Sequence, residues 1–396
     1  MRSVVVAAFL LLAGLPAQAR VKTGLDVLVE QDFAPLAGKR VGLITNHTGI
    51  TYDRLRNIEV LFRAPKVKLT AIFSPEHGIT GTRDDPNIAS AADEATGVPI
   101  YSLHERGQYR PTPEMLKDLD ALVYDIQDIG ARFYTYITTL GYMLEAAAQA
   151  RIPFYVLDRP NPVNGLAVEG PLLDSKYFSF VGYMRMPIRH GMTVGELARM
   201  YNGENKLGAD LHVIRMQGWS RSMWFDETGL EWVNPSPNMR NLTQAILYPG
   251  ACLLESRDVS VGRGTDTPFQ IVGAPWFKGR EVAAYLNARR LPGVSFIPRR
   301  SRPTASVHKD LECDGLDIQL LDRNRFNAVL MGLELLATTL KFHPGKFDLN
   351  GIMRLLGNDE VAARLLHGQS GLTITRALRP QLSAFRRTRA KYLLYR

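Results

Sequence analysis

A chain of 396 residues that is 45% hydrophobic, 22% charged and 9% aromatic holds enough apolar material for a large core, and its length predicts two domains or one domain with a large appendage. This balance excludes disorder, collagen and coiled coil. The formal net charge is +9. Much of the excess is gathered at Arg299, Arg300, Arg302, Arg386, Arg387, Arg389, Lys391 and Arg396, which marks either a solvated face or attraction to an anionic envelope polymer.

The first segment reads as a signal rather than as structure. Arg2 gives a positive start, Val4 to Leu15 is an apolar run, and Ala17-Gln18-Ala19 is a small-residue cleavage site, the pattern of a secretory signal peptide over residues 1–19. An apolar run of about 12 residues is too short to cross a bilayer as a helix, and no later segment is long and apolar enough to do so. The mature chain is therefore expected to begin at Arg20 and to work in the periplasm or outside the cell. Nucleic acid is not an expected partner there. The two cysteines, Cys252 and Cys313, either pair in an oxidising compartment or are buried thiols. Neither CxxC nor HExxH occurs, so no metal ligand set is expected.

From there short apolar runs alternate with helical patterns, which predicts α/β architecture with a mostly parallel sheet. Strands are predicted at Arg40 to Thr45, Leu69 to Phe73, Ala121 to Ile126 and Pro153 to Leu157, with an edge strand at Leu211 to Met216. Helices are predicted at Asp53 to Phe62, Pro113 to Leu119, Tyr136 to Ala150 and Val194 to Tyr201, the last capped by Thr193. A domain boundary is predicted near Trp232, dividing residues 20–232 from 233–396, because Pro235-Ser236-Pro237 breaks regular structure. Beyond it come strands at Ser295 to Pro298 and Leu316 to Leu321, and helices at Arg325 to Leu340 and Glu360 to His367.

The strand ends carry the chemistry. After the four main strands come NHTG (46–49), SPEHGITG (74–81), QDIGAR (127–132) and DRPNPVNG (158–165). Parallel strands place such loops along one edge, where open α/β sheets bind ligands, so these four are expected to converge on one cleft. The dinucleotide glycine fingerprint, the P-loop and the GxSxG elbow are all missing; no organic cofactor is expected.

The cleft loops supply acids, amides, arginines and aromatic rings. Glu76, just past an apolar strand, is the candidate general acid; the alternative is a cap on the following turn. Asp125 and Asp128 are candidate partners, Asp125 equally a cap. Asn46, His77, Asp158, Asn161, Asn164 and Glu169 are candidate substrate ligands. Arg132 and Arg159 suit a substrate carboxylate, although Arg132 pairs as readily with Asp128. Tyr134 and Tyr136 either stack on a sugar or pack a helix. His190 precedes the Thr193 cap. From the second domain, Asn238, Arg263 and Thr265 are candidates to face the cleft.

Longer motifs then become specific: SPEHG (74–78), YDIQDIGARFYTYITTLGYMLEAA (124–147), DRPNPVNG (158–165), VEGPLLD (168–174), RHGMTVGELA (189–198), MWFDETGLEWVNPSPNM (223–239), YPGACLLE (248–255) and GAPW (273–276). Over nearly the whole mature chain these resemble the exo-acting β-N-acetylmuramidases of glycoside hydrolase family 171 (NamZ-type), formerly a domain of unknown function. The resemblance implies a Rossmann-like N-terminal domain, a smaller α/β C-terminal domain and an active site between them. It implies release of N-acetylmuramic acid from the non-reducing end of peptidoglycan fragments, with Glu76 as the leading catalytic residue. The chain departs from the family pattern at Val261, Thr267 and Gln270, where the family carries two acids and an arginine in what should be a cleft-facing loop. Two other readings remain: a catalytically silent cell-wall glycan-binding protein, which those departures favour, and a periplasmic oxidoreductase, which the missing glycine fingerprint disfavours.

Overall fold

The computed structural model describes residues 20–85 and 87–396; the expected signal peptide lies outside the described residues. Helix α1 (Gly24–Glu30) starts from a capping box between Thr23 and Asp26. The first lobe is built on a seven-stranded sheet. Its strands are β1 (Arg40–Thr45), β2 (Lys68–Ser74), β3 (Ala91–Ala92), β4 (Pro99–Ser102), β5 (Ala121–Asp125) and β6 (Phe154–Leu157). After a two-stranded ribbon of β7 (Glu169–Leu172) and β8 (Pro187–Arg189), β9 (Leu211–Ile214) completes it. The order is β3-β4-β2-β1-β5-β6-β9, and every pairing except β3 with β4 is parallel.

Strands β1, β5 and β6 are buried on both faces, as the continuous apolar runs require of a covered parallel sheet. Along β1 and β5, Val41, Leu43, Ala121 and Val123 pack on one side, while Ile44, Leu122 and Tyr124 pack on the other. The covering helices are α2 (Asn57–Arg63), α3 (Pro113–Leu116), α4 (Tyr136–Ala150) and α5 (Val194–Glu204). Helix α5 opens with the expected Thr193 cap, completed as a box by Glu196. Helix α2 begins four residues later than the sequence predicts, because residues 51–55 close a turn first: Thr51 N–H donates to the Leu55 carbonyl and Arg54 is left-handed.

Residues 229–241 carry no helix or strand, and beyond them the second lobe forms. It comprises α6 (Leu242–Ala251), β10 (Ile271–Ala274), α7 (Gly279–Ala288), β11 (Val294–Ser301), β12 (Cys313–Leu320) and α8 (Ala328–Phe342). Short helices α9 (Met353–Leu356), α10 (Asp359–Leu366) and α11 (Gly371–Ala377) precede α12 (Arg379–Ala390). Its sheet, β10-β12-β11, is antiparallel. Helices α6 and α8 cross at two glycines: a Cβ on Gly250 would stand 1.9 Å from the Ala328 carbonyl oxygen, and one on Gly332 would stand 2.5 Å from the Gly250 oxygen. Cys252 and Cys313 are both free and buried.

The two lobes share one core. The buried cluster under α4 and α5 continues without a break through Leu253, Phe296 and Leu333 of the second lobe. The chain end then returns to the first lobe. Arg389 donates to the carbonyls of Gly165, His190 and Gly191, and the Tyr395 hydroxyl donates to Asp158 Oδ2 at 2.6 Å. No helix among the described residues is long and apolar enough to cross a membrane.

Candidate active site

The sheet reverses direction of growth at β1, which lies between β2 and β5. That is where an open α/β sheet leaves a crevice at its carboxyl edge. Glu76 stands there, two residues past the end of β2. Pro75 and a pair of left-handed residues, His77 and Gly78 (φ 69° and 73°), turn the chain sharply around Glu76. The next glycine is sterically required: a Cβ on Gly81 would lie 1.7 Å from the His47 ring. The His47 ring itself reaches the segment that connects the lobes, its Nε2 lying 2.7 Å from the Asn234 carbonyl.

Glu76 lines a cleft of about 430 Å³ together with His77, Tyr134, Thr135, Ser236, Tyr248, Glu255, Arg263 and Phe269, so both lobes contribute. The Thr135 hydroxyl donates to Glu76 Oε2. His104 Nε2 lies 3.9 Å from Oε1. The side chain is about a quarter exposed (28%), which leaves one edge of the carboxyl open to a ligand. Aromatic rings form the wall in successive edge-to-face contacts: Tyr134 on Tyr248 at 5.9 Å and Tyr248 on Phe269 at 4.7 Å between centroids. In the same cleft, Arg263 Nε donates to Glu255 Oε1 at 2.6 Å, and Asp84 Oδ2 lies 3.8 Å from its Nη1. Burial works against the Arg263 charge, but Glu255 outweighs it and the guanidinium is held more firmly protonated than usual.

Of the residues expected from sequence, Glu76, His77, Tyr134 and Arg263 line this cleft. Asn238 reaches it indirectly, donating to Asp84 Oδ2 at 3.3 Å. Tyr136 packs edge-on against Tyr134 and donates to the Pro235 carbonyl. Asn46 lines a neighbouring cavity of about 650 Å³ on the other side of the SPEHG turn, with His47, Arg56 and Arg83.

The remaining candidates are placed in the scaffold. Asp125 is fully buried and held by Arg159 through two hydrogen bonds and by Asn57 through a third; that occupies both its oxygens and removes Arg159 as a free cation. Arg132 is fully buried and donates to the carbonyls of Pro171, Met186, Leu355 and Leu356, a stitch between lobes. Burial lowers its pKa to about 9. Asp128 is sealed beneath the cleft, where burial raises its carboxyl to about 7; its neighbour His190, 4.0 Å away, is driven by burial to about 3. Asp158 serves the start of α5, accepting from Gly195 N and the Thr193 hydroxyl. Asn161 and Asn164 tie their own loop through Val163 N and Leu166 N. Glu169 pairs with buried Arg189, and Thr265 closes a turn on Gly262 O.

The departures from the family pattern fall in the scaffold as well. Val261 is buried in the core and Thr267 and Gln270 line no part of the cleft. What that loop offers the cleft is Arg263 and Phe269.

A partly exposed carboxyl in a cleft with an aromatic wall suits proton transfer to a glycosidic oxygen, and the class so defined is a glycoside hydrolase on a two-lobed α/β frame. Comparison with known proteins narrows that class. The model of the N-terminal part of the exo-β-N-acetylmuramidase NamZ matches residues 41–243, and that of its C-terminal part matches residues 246–395. The chain is 43% identical over 380 residues to the peptidoglycan β-N-acetylmuramidase NamZ of Bacillus subtilis strain 168, covering 95% of this chain and 92% of that protein. Two crystal structures of DUF1343 family proteins from Bacteroides fragilis superpose with TM-scores of 0.88 and 0.79, at 39% and 31% identity. They cover 95% and 96% of this chain and 99% of each of those chains. The chain belongs to the NamZ family of exo-β-N-acetylmuramidases.

Proposed function

We propose that the chain hydrolyses the terminal β-N-acetylmuramic acid from the non-reducing end of a peptidoglycan-derived oligosaccharide or muramyl disaccharide, with Glu76 protonating the leaving oxygen. The observation that carries this is the position of Glu76: a carboxyl at the sheet's switch point, oriented by Thr135 and partly exposed in a cleft that both lobes line. Asp125 and Asp128 are sealed away from the cleft, so neither supports the proton transfer. The 43% identity to a muramidase over most of both chains supports the choice of sugar.

Arg263 is the cation that suits the lactyl carboxylate distinguishing N-acetylmuramic acid from N-acetylglucosamine. A location outside the cytoplasm fits such a substrate and the leader-like first 19 residues.

The test is Glu76→Gln, assayed on a chromogenic β-N-acetylmuramide. The amide keeps the shape and the Thr135 contact but delivers no proton. General acid assistance contributes roughly 10²–10⁴ in rate, so turnover should fall at least by the lower figure while Tm stays where it was. Retention of more than about a tenth of turnover, outside that range, sinks this role for Glu76.

A further inference from the structure

Strand register puts a second titratable side chain opposite Glu76. In the parallel β2–β4 pair, Ser74 lies against Ser102. Two residues on, the same step carries β2 to Glu76 and β4 to His104. The end of β4 is tied to the end of β2 and to itself: Leu103 N donates to the Ser74 carbonyl at 2.8 Å, and His104 N to the Ser102 hydroxyl at 3.1 Å. His104 is buried at 6% exposure. Its ring lies 5.4 Å from Tyr109 and 5.7 Å from Phe180, which are themselves stacked at 4.0 Å. Its Nδ1 is buried with no hydrogen-bond partner among the described residues. The other nitrogen, Nε2, is the one that faces Glu76 Oε1.

We propose that His104 is a positioning residue for Glu76: as a neutral imidazole it presents Nε2–H to Oε1, while Thr135 presents its hydroxyl to Oε2, and the two donors fix the plane of the carboxyl. This rests on the reading of Glu76 as the proton donor. At 3.9 Å the contact is too long for a hydrogen bond. Catalytic contacts of unliganded sites are commonly long before substrate tightens them. The titratable groups that face the ring are Glu76, His77, Asp85 and Tyr109. Burial holds the imidazole below its usual pKa; Glu76 and Asp85 push it up and His77 pushes it down. A neutral ring is therefore the form present near neutral pH.

A donor at Oε1 favours the carboxylate, so its loss should let Glu76 keep its proton to higher pH. Two variants separate this role from packing. In His104→Gln the amide nitrogen reaches about as far as Nε2; in His104→Asn it ends near Nδ1 and falls short. His104→Asn should lose about ten- to a hundredfold in kcat, the scale of a misaligned catalytic group. Its KM should change little, and the alkaline limb of its kcat/KM profile should move to higher pH. His104→Gln should recover most of kcat and bring the limb back, although it carries no titratable group. Equal losses in both variants, or an unmoved profile in His104→Asn, overturn the proposal. Glu76→Gln, assayed beside them, keeps the two readings apart. If that variant stays active, the role of Glu76 fails; if it is inactive while His104→Asn matches wild type, only the role of His104 fails.

Discussion

Three arginines look alike in the sequence, each near a loop that a ligand could reach, and burial decides among them. Arg132 spends its donors on four carbonyls and Arg159 on Asp125, whereas Arg263 is a quarter exposed (25%) at the cleft wall. A charge-assisted hydrogen bond contributes roughly 1.5–3 kcal/mol. Arg263→Ala should therefore raise KM for a β-N-acetylmuramide by about ten- to a hundredfold, and much less for the matching glucosaminide, which lacks the carboxylate. Arg159→Ala should act on stability instead, because it strands a buried carboxylate at a cost of about 3–5 kcal/mol, read as a lower Tm. Equal losses on both sugars in Arg263→Ala would remove the carboxylate-recognition role. In the sequence Glu76 is one of several carboxyls at the end of an apolar strand, with Asp125 and Asp158, and only burial separates it from them: those two are fully buried, whereas Glu76 is partly exposed in the cleft. Thr135 was not legible there: it sits in an aromatic run, where rings draw attention from a hydroxyl, and only the start of α4 aims it back across the sheet edge.

At the scale of elements, length did not decide what was legible: the four-residue strands β6 and β9 were expected, whereas the twelve-residue helix α12 was not. Helix α4 spans the predicted residues 136–150, and β1 the predicted residues 40–45. Strand β4 is four residues long with an alternating, half-exposed pattern, which reads as loop without its neighbour β2. Missing it meant missing His104, because the residue's importance lies in a register that only the paired strand defines. The crossing of α6 and α8 was equally silent, since a glycine in a helix gives no sign of what approaches it. At Gly332 the approaching group is backbone, which cannot swing aside. Gly332→Ala should destabilise the protein by about 1–3 kcal/mol, the usual cost of overpacking, despite the better helix propensity of alanine. Thermal melting checks this; an unchanged or higher Tm would mean that the helices separate freely.

On the scale of the molecule, lobes that share one core and trade buried arginines should unfold together. Calorimetry should show one transition whose calorimetric and van't Hoff enthalpies agree; two resolved transitions would show that the lobes stand alone. Tyr395→Phe removes one of two hydroxyls from Asp158 Oδ2, the Thr193 hydroxyl remaining, and should lower that single transition by an amount set by the roughly 0.5–1.5 kcal/mol net contribution of one hydrogen bond. Asp158 and Tyr395 are separated by 237 positions. At roughly 5–20 residues per second, a ribosome delivers the tyrosine on the order of 10–50 s after the aspartate. Throughout that interval the nascent first lobe carries the cap of α5 without its final donor and a core whose other half is unwritten. The clasp therefore cannot close until the last codons are read, and a message cut short by a few codons yields a protein that has every cleft residue and lacks the clasp.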